Sequence, residues 1–162
     1  MTVELYLLRH AHAGDPMKWH GPDDRRPLSA KGEAQIERLT RLLTGIGFAP
    51  AAILTSPLQR AMETAEPLAT ALGMEAQVEE RLAESLGLAE LEAILSDAGD
   101  PKSAVLVGHD PDFSGLVASL CGGEGIPMRK GALARIDAVR PVRAGGGTLR
   151  WLVPPDLLEP GA

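Results

Sequence analysis

The chain has 162 residues and a formal net charge of −6, with 44% hydrophobic and 23% charged residues. This length and composition are typical of a single globular domain with its own core. The acidic balance and the scarcity of aromatic residues (3%) argue against a nucleic-acid-binding surface, which needs basic patches or stacking side chains. A single cysteine excludes an intrachain disulfide and a zinc site built on paired cysteines.

Nothing in the sequence is typical of a membrane or secreted protein. No apolar run approaches the ~20 residues that a membrane-spanning helix needs. The N-terminus carries Glu4 and no basic segment, unlike a signal peptide. We therefore expect a cytoplasmic protein without membrane or nucleic-acid partners, which also fits the single cysteine. The sequence gives no indication of oligomeric state.

The hydrophobic pattern predicts strands that alternate with helices through most of the chain. Residues 3–8 form an apolar run and predict a buried strand. The polar residues 13–27 predict a long loop, and long loops in compact domains are usually functional or disordered. Ser29 is typical of an N-cap, because residues 30–44 after it repeat apolar side chains at helical spacing.

A strand is predicted at residues 51–55, followed by a helix to residue 72 with Ser56 as N-cap and Pro57 as first residue. The remaining predicted elements are strands at 75–79 and 103–107, helices at 88–95 and 113–120, and a hairpin of 133–139 with 148–153. This alternation predicts a three-layer α/β/α sandwich around a largely parallel central sheet. We expect one catalytic domain over residues 1–153 and a loose tail at 154–162.

Cationic side chains follow three of the predicted strands. Arg9 and His10 follow the first strand, Arg60 lies just after the second, and His109 follows the strand at 103–107. Since the carboxyl ends of parallel strands meet at one edge of a sheet, we expect these side chains to lie together. Arginine forks and helix N-termini on an acidic protein favour a small-anion site, and phosphate fits their geometry. The sequence therefore predicts a phosphate site.

The residue types predicted at this edge of the sheet are suited to phosphoryl transfer. A neutral imidazole can attack phosphorus and form a covalent phosphohistidine, which divides one difficult step into two. Arginines and a second histidine can stabilise the charge on the phosphoryl oxygens. A carboxylic acid can protonate the leaving group and later activate water. None of these steps requires a metal ion or cofactor, and we expect neither.

Four blocks in the sequence resemble the histidine phosphatase superfamily, the phosphoglycerate-mutase-like proteins. They are LLRHA at 7–11, RPLSAKG at 26–32, TSPLQRAMETA at 55–65 and VGH at 107–109. Their order matches that of the family, which makes the resemblance specific. The short chain and residues 108–111 and 131–134 are similar to the SixA-type phosphohistidine phosphatases. The resemblance implies a phosphoglycerate-mutase-like fold and a phosphatase that acts through a covalent phosphohistidine.

Residue roles also follow from the resemblance. It implies that His10 is the nucleophile and that Arg9, Arg60 and His109 bind phosphate. Glu84, in the sequence RLAE, lies where many relatives carry the proton donor.

Three further positions are less specific. Arg26 belongs to a charged cluster, and we expect its side chain to turn inward and bind substrate. Lys130 is a second candidate for a substrate-facing cation. Asp15 is an alternative acid to Glu84. A third alternative is that no dedicated acid is needed, because a phosphoimidazole is already a labile leaving group.

The sequence departs from the family pattern at two positions. Ala11 stands where glycine is usual, so the backbone cannot freely adopt positive φ there. Asp110 follows His109 where asparagine is frequent, and its carboxylate would oppose phosphate binding unless it turns away. Neither departure removes a catalytic side chain.

The expected substrate is a phosphohistidine on a protein, with a small phosphate ester as the alternative. A non-catalytic module that binds phosphate or a phosphopeptide is a second interpretation. A third is a metallohydrolase that uses His10, His12 and His109 with Asp110. The neighbouring arginines argue against it, because their charge repels a metal ion.

Overall fold

The structure is a computed structural model that describes residues 1–161. Six strands form one sheet: β1 (Thr2–Arg9), β2 (Ala52–Thr55), β3 (Gln77–Val78), β4 (Ser103–Gly108), β5 (Leu133–Val139) and β6 (Gly147–Val153). Four helices accompany them: α1 (Ala30–Gly45), α2 (Gln59–Ala71), α3 (Leu88–Asp97) and α4 (Asp112–Cys121). The prediction of alternating strands and helices is confirmed.

The strand order is β3-β2-β4-β1-β5-β6. The first four strands in this order pair in parallel, while β5 pairs antiparallel with both β1 and β6. Successive side chains of β1 enter different cores, with Leu5 and Leu7 packing beside α3 and α4 and Tyr6 and Leu8 beside α1 and α2. Helices therefore cover both faces of the sheet, which confirms the three-layer α/β/α sandwich with a largely parallel sheet.

The register of the central strands brings their carboxyl ends level. Arg9 at the end of β1 lies opposite Gly108 of β4, and Thr55 at the end of β2 lies opposite Val107. The residues that follow these three strands are thus neighbours at one edge of the sheet. This is the edge at which the sequence predicts the phosphate site.

The start of α2 differs from the prediction. The helix begins at Gln59 with Leu58 in the N-cap position and without a side-chain cap. Ser56 is therefore not the N-cap, and Pro57 lies in the connecting turn. The Ser56 hydroxyl oxygen accepts a hydrogen bond from the Leu58 N–H at 3.2 Å. The serine therefore stabilises a turn that precedes the first residue of the helix.

Two segments that the sequence predicts to be loop or tail contain short 3₁₀ turns. Residues 13–27 include 3₁₀ turns at Pro16–Lys18 and Asp23–Arg25. The segment predicted as a loose tail contains a further 3₁₀ turn at Pro155–Leu158, in which Pro155 is buried. Leu158 packs against the core on the α1 side of the sheet, so this part of the tail is docked rather than loose.

Gly32 allows α1 to pass close to the segment that follows β1. A Cβ atom at Gly32 would overlap the carbonyl oxygen of His12, so α1 and the segment after β1 would have to move apart. We expect Gly32→Ala to lower the free energy of unfolding by about 1–3 kcal/mol, as overpacking does elsewhere, measured by urea denaturation.

Gly45→Ala in the same helix is the matched control, because nothing lies within 4 Å of a Cβ atom there. We expect it to leave stability unchanged or raise it by up to about 1 kcal/mol. Equal losses in the two variants would contradict the close-approach explanation for Gly32.

Candidate active site

The ends of β1 and β4 bring two imidazoles together at the edge of the sheet. The ring centroids of His10 and His109 are 5.2 Å apart. His10 is only 5% exposed. The guanidinium groups of Arg9 and Arg60 lie close enough to both rings to lower their pKa values. The structure thus brings together the four residues for which the sequence predicts a phosphate site.

His10 is oriented by its own backbone. Its Nδ1 lies 2.8 Å from the carbonyl oxygen of Ala11. A carbonyl only accepts hydrogen bonds, so Nδ1 carries the hydrogen and Nε2 keeps a free lone pair. Burial and the charges of His109, Arg60 and Arg9 together lower the pKa of His10 to about 3, although the hydrogen bond to Ala11 acts in the opposite direction. At neutral pH, His10 is therefore an uncharged imidazole with an available nitrogen.

His109 is held by Ser56, which the sequence pattern predicts to be a helix N-cap rather than a site residue. Its Nε2 lies 2.7 Å from Oγ of Ser56, while its Nδ1 is buried without a hydrogen-bond partner among the described residues. Burial lowers the pKa of His109 to about 4, with Arg60 and Arg9 acting in the same direction. His109 is therefore also neutral near pH 7.

Arg60 lies in the first turn of α2 and is held by the loop of residues 13–27. Its Nη1 donates to the carbonyl oxygen of Asp23 at 2.9 Å, and its Nη2 donates to Oδ2 of the same residue at 3.2 Å. These bonds occupy the outer edge of the guanidinium group. The Nε atom is buried and has no partner among residues 1–161.

Arg9 is also held by hydrogen bonds from its guanidinium group, in this case to residues near β4 and β5. Its Nη1 donates to the carbonyl oxygen of Met128 at 2.7 Å and lies 3.4 Å from Oδ2 of Asp110. Asp110 itself accepts hydrogen bonds from the N–H and the hydroxyl of Ser114 at 2.9 and 2.7 Å. Its carboxylate is thus occupied by the first turn of α4 and by Arg9, so this departure from the family pattern is accommodated.

Near His10, three buried nitrogen atoms have no hydrogen-bond partner among residues 1–161: Nε of Arg9, Nε of Arg60 and Nδ1 of His109. In the described part of the chain, Thr40 contributes the one other buried side-chain atom of this kind. Buried polar groups are normally satisfied, so a cluster of unsatisfied ones needs an explanation. Unpaired donors that meet in one cationic corner are suited to binding the oxygens of a tetrahedral anion.

Arg26 and Lys130 lie at the margin of this corner. The Arg26 side chain turns inward, where Nε is 3.2 Å from Oδ1 of Asp23 and Nη1 donates to the carbonyl oxygen of Ala13 at 2.9 Å. Its described contacts therefore hold the loop in place. Burial lowers the pKa of Lys130, as do the charges of Arg9, Arg26 and Arg60, so Lys130 belongs to the same cationic region.

Neither candidate acid forms a hydrogen bond with the two imidazoles. Glu84 is exposed after the 3₁₀ turn Glu80–Ala83, and its side chain makes no hydrogen bond among residues 1–161. Asp15 is also exposed, and its carboxylate accepts from the N–H of Met17 at 2.9 Å. The geometry of the site does not select an acid.

The substitution of Ala11 for the usual glycine creates no backbone strain. Within residues 1–161, Asp100 is the one non-glycine residue with positive φ, so Ala11 stays in a region open to any residue. Its N–H donates to Oγ1 of Thr64 at 3.0 Å. Thr64 in turn donates to the carbonyl oxygen of Arg60, which ties the segment after β1 to α2.

The side chains required by the metallohydrolase interpretation do not form a set of three or more ligands among the described residues. The described residues contain no group of three or more His, Cys, Asp or Glu side chains that could hold a metal ion. His12 instead places Nδ1 2.6 Å from Oγ of Ser29, the N-cap of α1. Over the same residues, no helix has the length and apolar character needed to cross a membrane.

The two neutral imidazoles make the stability of the protein sensitive to acid. The pKa values of His10 and His109, about 3 and about 4, lie below the value of 6.5 expected in the unfolded chain. Below pH 6.5 the unfolded state therefore binds more protons than the folded state. We expect the free energy of unfolding to fall as pH decreases from 6.5 towards 4, by at most about 1.4 kcal/mol per pH unit for each histidine.

Urea denaturation at several pH values measures this slope. His10→Ala should unfold with a smaller dependence on pH over this window, whereas His20→Ala, at an exposed position, should keep the slope of the wild type. A slope that is unchanged in His10→Ala would contradict the neutral, buried state of His10.

Comparisons with known proteins identify the family of the chain. A model of the histidine phosphatase superfamily (branch 1) matches residues 5–109. The chain is 29% identical to phosphohistidine phosphatase SixA of Escherichia coli K12 over 159 residues, which cover 94% of each chain. It is 30% identical over 124 residues to an 8-oxo-(d)GTP phosphatase of Mycolicibacterium smegmatis, covering 74% of this chain but 38% of that protein.

A solved structure of the protein histidine phosphatase SixA in complex with tungstate superposes on the chain with a TM-score of 0.82. The match has 26% sequence identity and covers 97% of this chain and 100% of that one. The expected phosphoglycerate-mutase-like fold is thereby confirmed. The chain belongs to the histidine phosphatase superfamily, branch 1, and is a phosphatase.

Proposed function

We propose that the protein removes phosphate from phosphohistidine on a protein, without a metal ion and through a covalent phospho-His10 intermediate. One observation carries the proposal: a neutral His10 with a free Nε2 lies beside three buried nitrogens that have no hydrogen-bond partner among the described residues. Such an arrangement supplies both a nucleophile and a cradle for the phosphoryl oxygens.

In the first step, the Nε2 lone pair of His10 attacks phosphorus while the bond from phosphorus to the substrate nitrogen breaks. The Nδ1–H of His10 keeps its hydrogen bond to the Ala11 carbonyl, which stabilises the positive charge that the ring acquires. Arg9, Arg60 and His109 donate to the three phosphoryl oxygens as their charge is redistributed. The released imidazole takes a proton from water.

In the second step, water attacks the phosphorus atom of phospho-His10. The bond to Nε2 breaks, inorganic phosphate leaves, and the neutral imidazole is restored. A phosphoimidazole is a labile leaving group, so the proposal requires no dedicated carboxylic acid. This agrees with the exposed positions of Glu84 and Asp15, whose carboxylates form no hydrogen bond with either imidazole.

Two features support a protein as the substrate. The chain and SixA match over 94% of each length, so the chain has no large insertion relative to that phosphohistidine phosphatase. The loop of residues 13–27 also exposes apolar side chains, with Met17 89% and Trp19 38% exposed. A cavity of about 250 Å³ lies along this loop and is lined in part by Lys18, Trp19 and Arg26. These surfaces offer contacts beyond a single phosphate.

A small phosphate ester is the second candidate, favoured by the similarity to the 8-oxo-(d)GTP phosphatase. Lys130 and Arg26 add positive charge beside the phosphate corner, and a nucleotide carries further anionic groups that would use it. The two candidates share the phospho-His10 chemistry and differ in what binds around the phosphate.

Phosphate release from four substrates tests the proposal: a phosphohistidine protein, a phosphohistidine peptide, 8-oxo-dGTP and an aryl phosphate, all with EDTA present. We expect the phosphohistidine protein to give the highest kcat/KM, unaffected by EDTA. A higher kcat/KM for the nucleotide would instead support the small ester. Phosphopeptide binding without release from any substrate would overturn both and support a binding module.

A further inference from the structure

We infer that Ser56 is a positioning residue that holds His109 in the tautomer with hydrogen on Nδ1, ready to donate to a phosphoryl oxygen. This rests on the proposed function, which assigns the phosphate to the corner between His10 and His109. It adds a residue that does not touch the substrate but determines which nitrogen of His109 can donate.

Ser56 is fixed in place by the fold. It follows β2 directly, is 0% exposed, and its backbone N–H donates to the carbonyl oxygen of Val107 at 2.9 Å. Val107 lies on β4, two residues before His109. The serine and the histidine are therefore held by neighbouring strands, and the distance of 2.7 Å between Oγ and Nε2 is set by the sheet.

The position of the hydrogen atoms follows from counting donors and acceptors. Oγ of Ser56 already accepts from the N–H of Leu58 at 3.2 Å. Among residues 1–161, the only acceptor within hydrogen-bond distance of the Ser56 hydroxyl hydrogen is Nε2 of His109. If Nε2 instead carried a hydrogen, the buried hydroxyl would have no acceptor, which is unfavourable. The hydroxyl therefore donates, and Nε2 accepts.

A neutral imidazole that accepts at one nitrogen carries its hydrogen on the other. In His109 that other nitrogen is Nδ1, which is buried and has no hydrogen-bond partner in the part of the chain that the structure describes. His109 is neutral near pH 7 because burial and the two arginines lower its pKa. The combination makes Nδ1–H a donor fixed before the substrate arrives, at no reorganisation cost during the reaction.

Nitrogen-15 NMR of the histidine side chains tests this inference directly, because the two ring nitrogens have different shifts in each tautomer. We expect wild-type His109 to carry its hydrogen on Nδ1 at pH 7. In Ser56→Ala, we expect the Nε2–H form to become populated, because Nε2 has lost its donor. A wild-type His109 with hydrogen on Nε2 would overturn the inference without any variant.

Kinetics with an aryl phosphate give the second readout. We expect Ser56→Ala to lower kcat by about 10-fold or more with a smaller change in KM, since it weakens a donor to the transition state. Ser56→Thr retains the hydroxyl and should recover part of the rate. Ser103→Ala, which removes a serine at the far end of β4 that bonds Ala51, should leave kcat unchanged.

Different measurements test the proposed function and the role of Ser56. If the wild-type protein releases no phosphate from any substrate, the proposed function fails, and the tautomer of His109 can still be measured. If the wild-type protein is active but Ser56→Ala keeps both the rate and the Nδ1–H tautomer, the function stands and the role of Ser56 is refuted.

Discussion

Replacing His10 by alanine is expected to lower kcat for phosphate release by about 10⁴-fold or more, as loss of a nucleophile does in other covalent mechanisms. The reason is that no other described side chain offers a free imidazole nitrogen at this position: Nε2 of His109 is taken by Ser56. Steady-state kinetics with an aryl phosphate measure the change, and circular dichroism checks that the variant folds.

His20→Ala is the matched control, because His20 is exposed in the loop of residues 13–27. Its kcat should equal that of the wild type. A His10→Ala variant that folds and retains a tenth or more of the wild-type rate would show that phosphate transfer does not pass through His10.

The second large effect is expected at Arg60. Arg60→Ala removes the Nε donor, which bonds to none of the described residues, and also the two hydrogen bonds to Asp23. We expect kcat/KM to fall by about 10²–10³-fold, the scale for loss of one donor to a transition-state oxyanion. Both kcat and KM should change, because the phosphate and the loop depend on the same side chain.

Arg60→Lys should recover little of this loss. A lysine carries the charge but lacks the planar fork that allows one edge to bond Asp23 while another bonds phosphate. Arg41→Ala is the control, since Arg41 is an exposed arginine paired with Glu37 on α1. Full activity in Arg60→Lys would indicate that charge alone, and not the guanidinium geometry, is needed here.

Much of the fold and the centre of the site could be predicted because they depend on short-range patterns. The apolar run of residues 3–8 and the alternation of elements imply parallel strands, and parallel strands bring Arg9, His10 and His109 to one edge. The register of β1 against β4 makes this juxtaposition a direct consequence of the sheet.

The hydrogen-bond partners of these residues could not be predicted in the same way. Ser56 before proline is a typical N-cap pattern, yet its hydroxyl is used by Leu58 and His109 because β2 ends beside β4. Asp23 gives no local signal for contacting Arg60, 37 residues away. Such pairings depend on how a loop folds over the sheet, and this information is not contained in local periodicity.

The environments of Glu84 and of the C-terminal tail also depend on long-range packing. A glutamate at the position of Glu84 is compatible with either an exposed turn or a proton donor, and the local sequence is the same for both. The docking of Pro155 and Leu158 results from long-range packing beside α1, whereas the sequence after β6 contains only weak local signals for ordered structure.

The most direct test of the account is to trap the covalent intermediate. The protein is mixed with substrate, quenched within one turnover at alkaline pH, where phosphohistidine persists, and digested for mass spectrometry. We predict phosphate on His10 in the wild type and none on that peptide in His10→Ala. Turnover without any phosphate on His10, or with phosphate on another residue such as His109, would contradict the central claim.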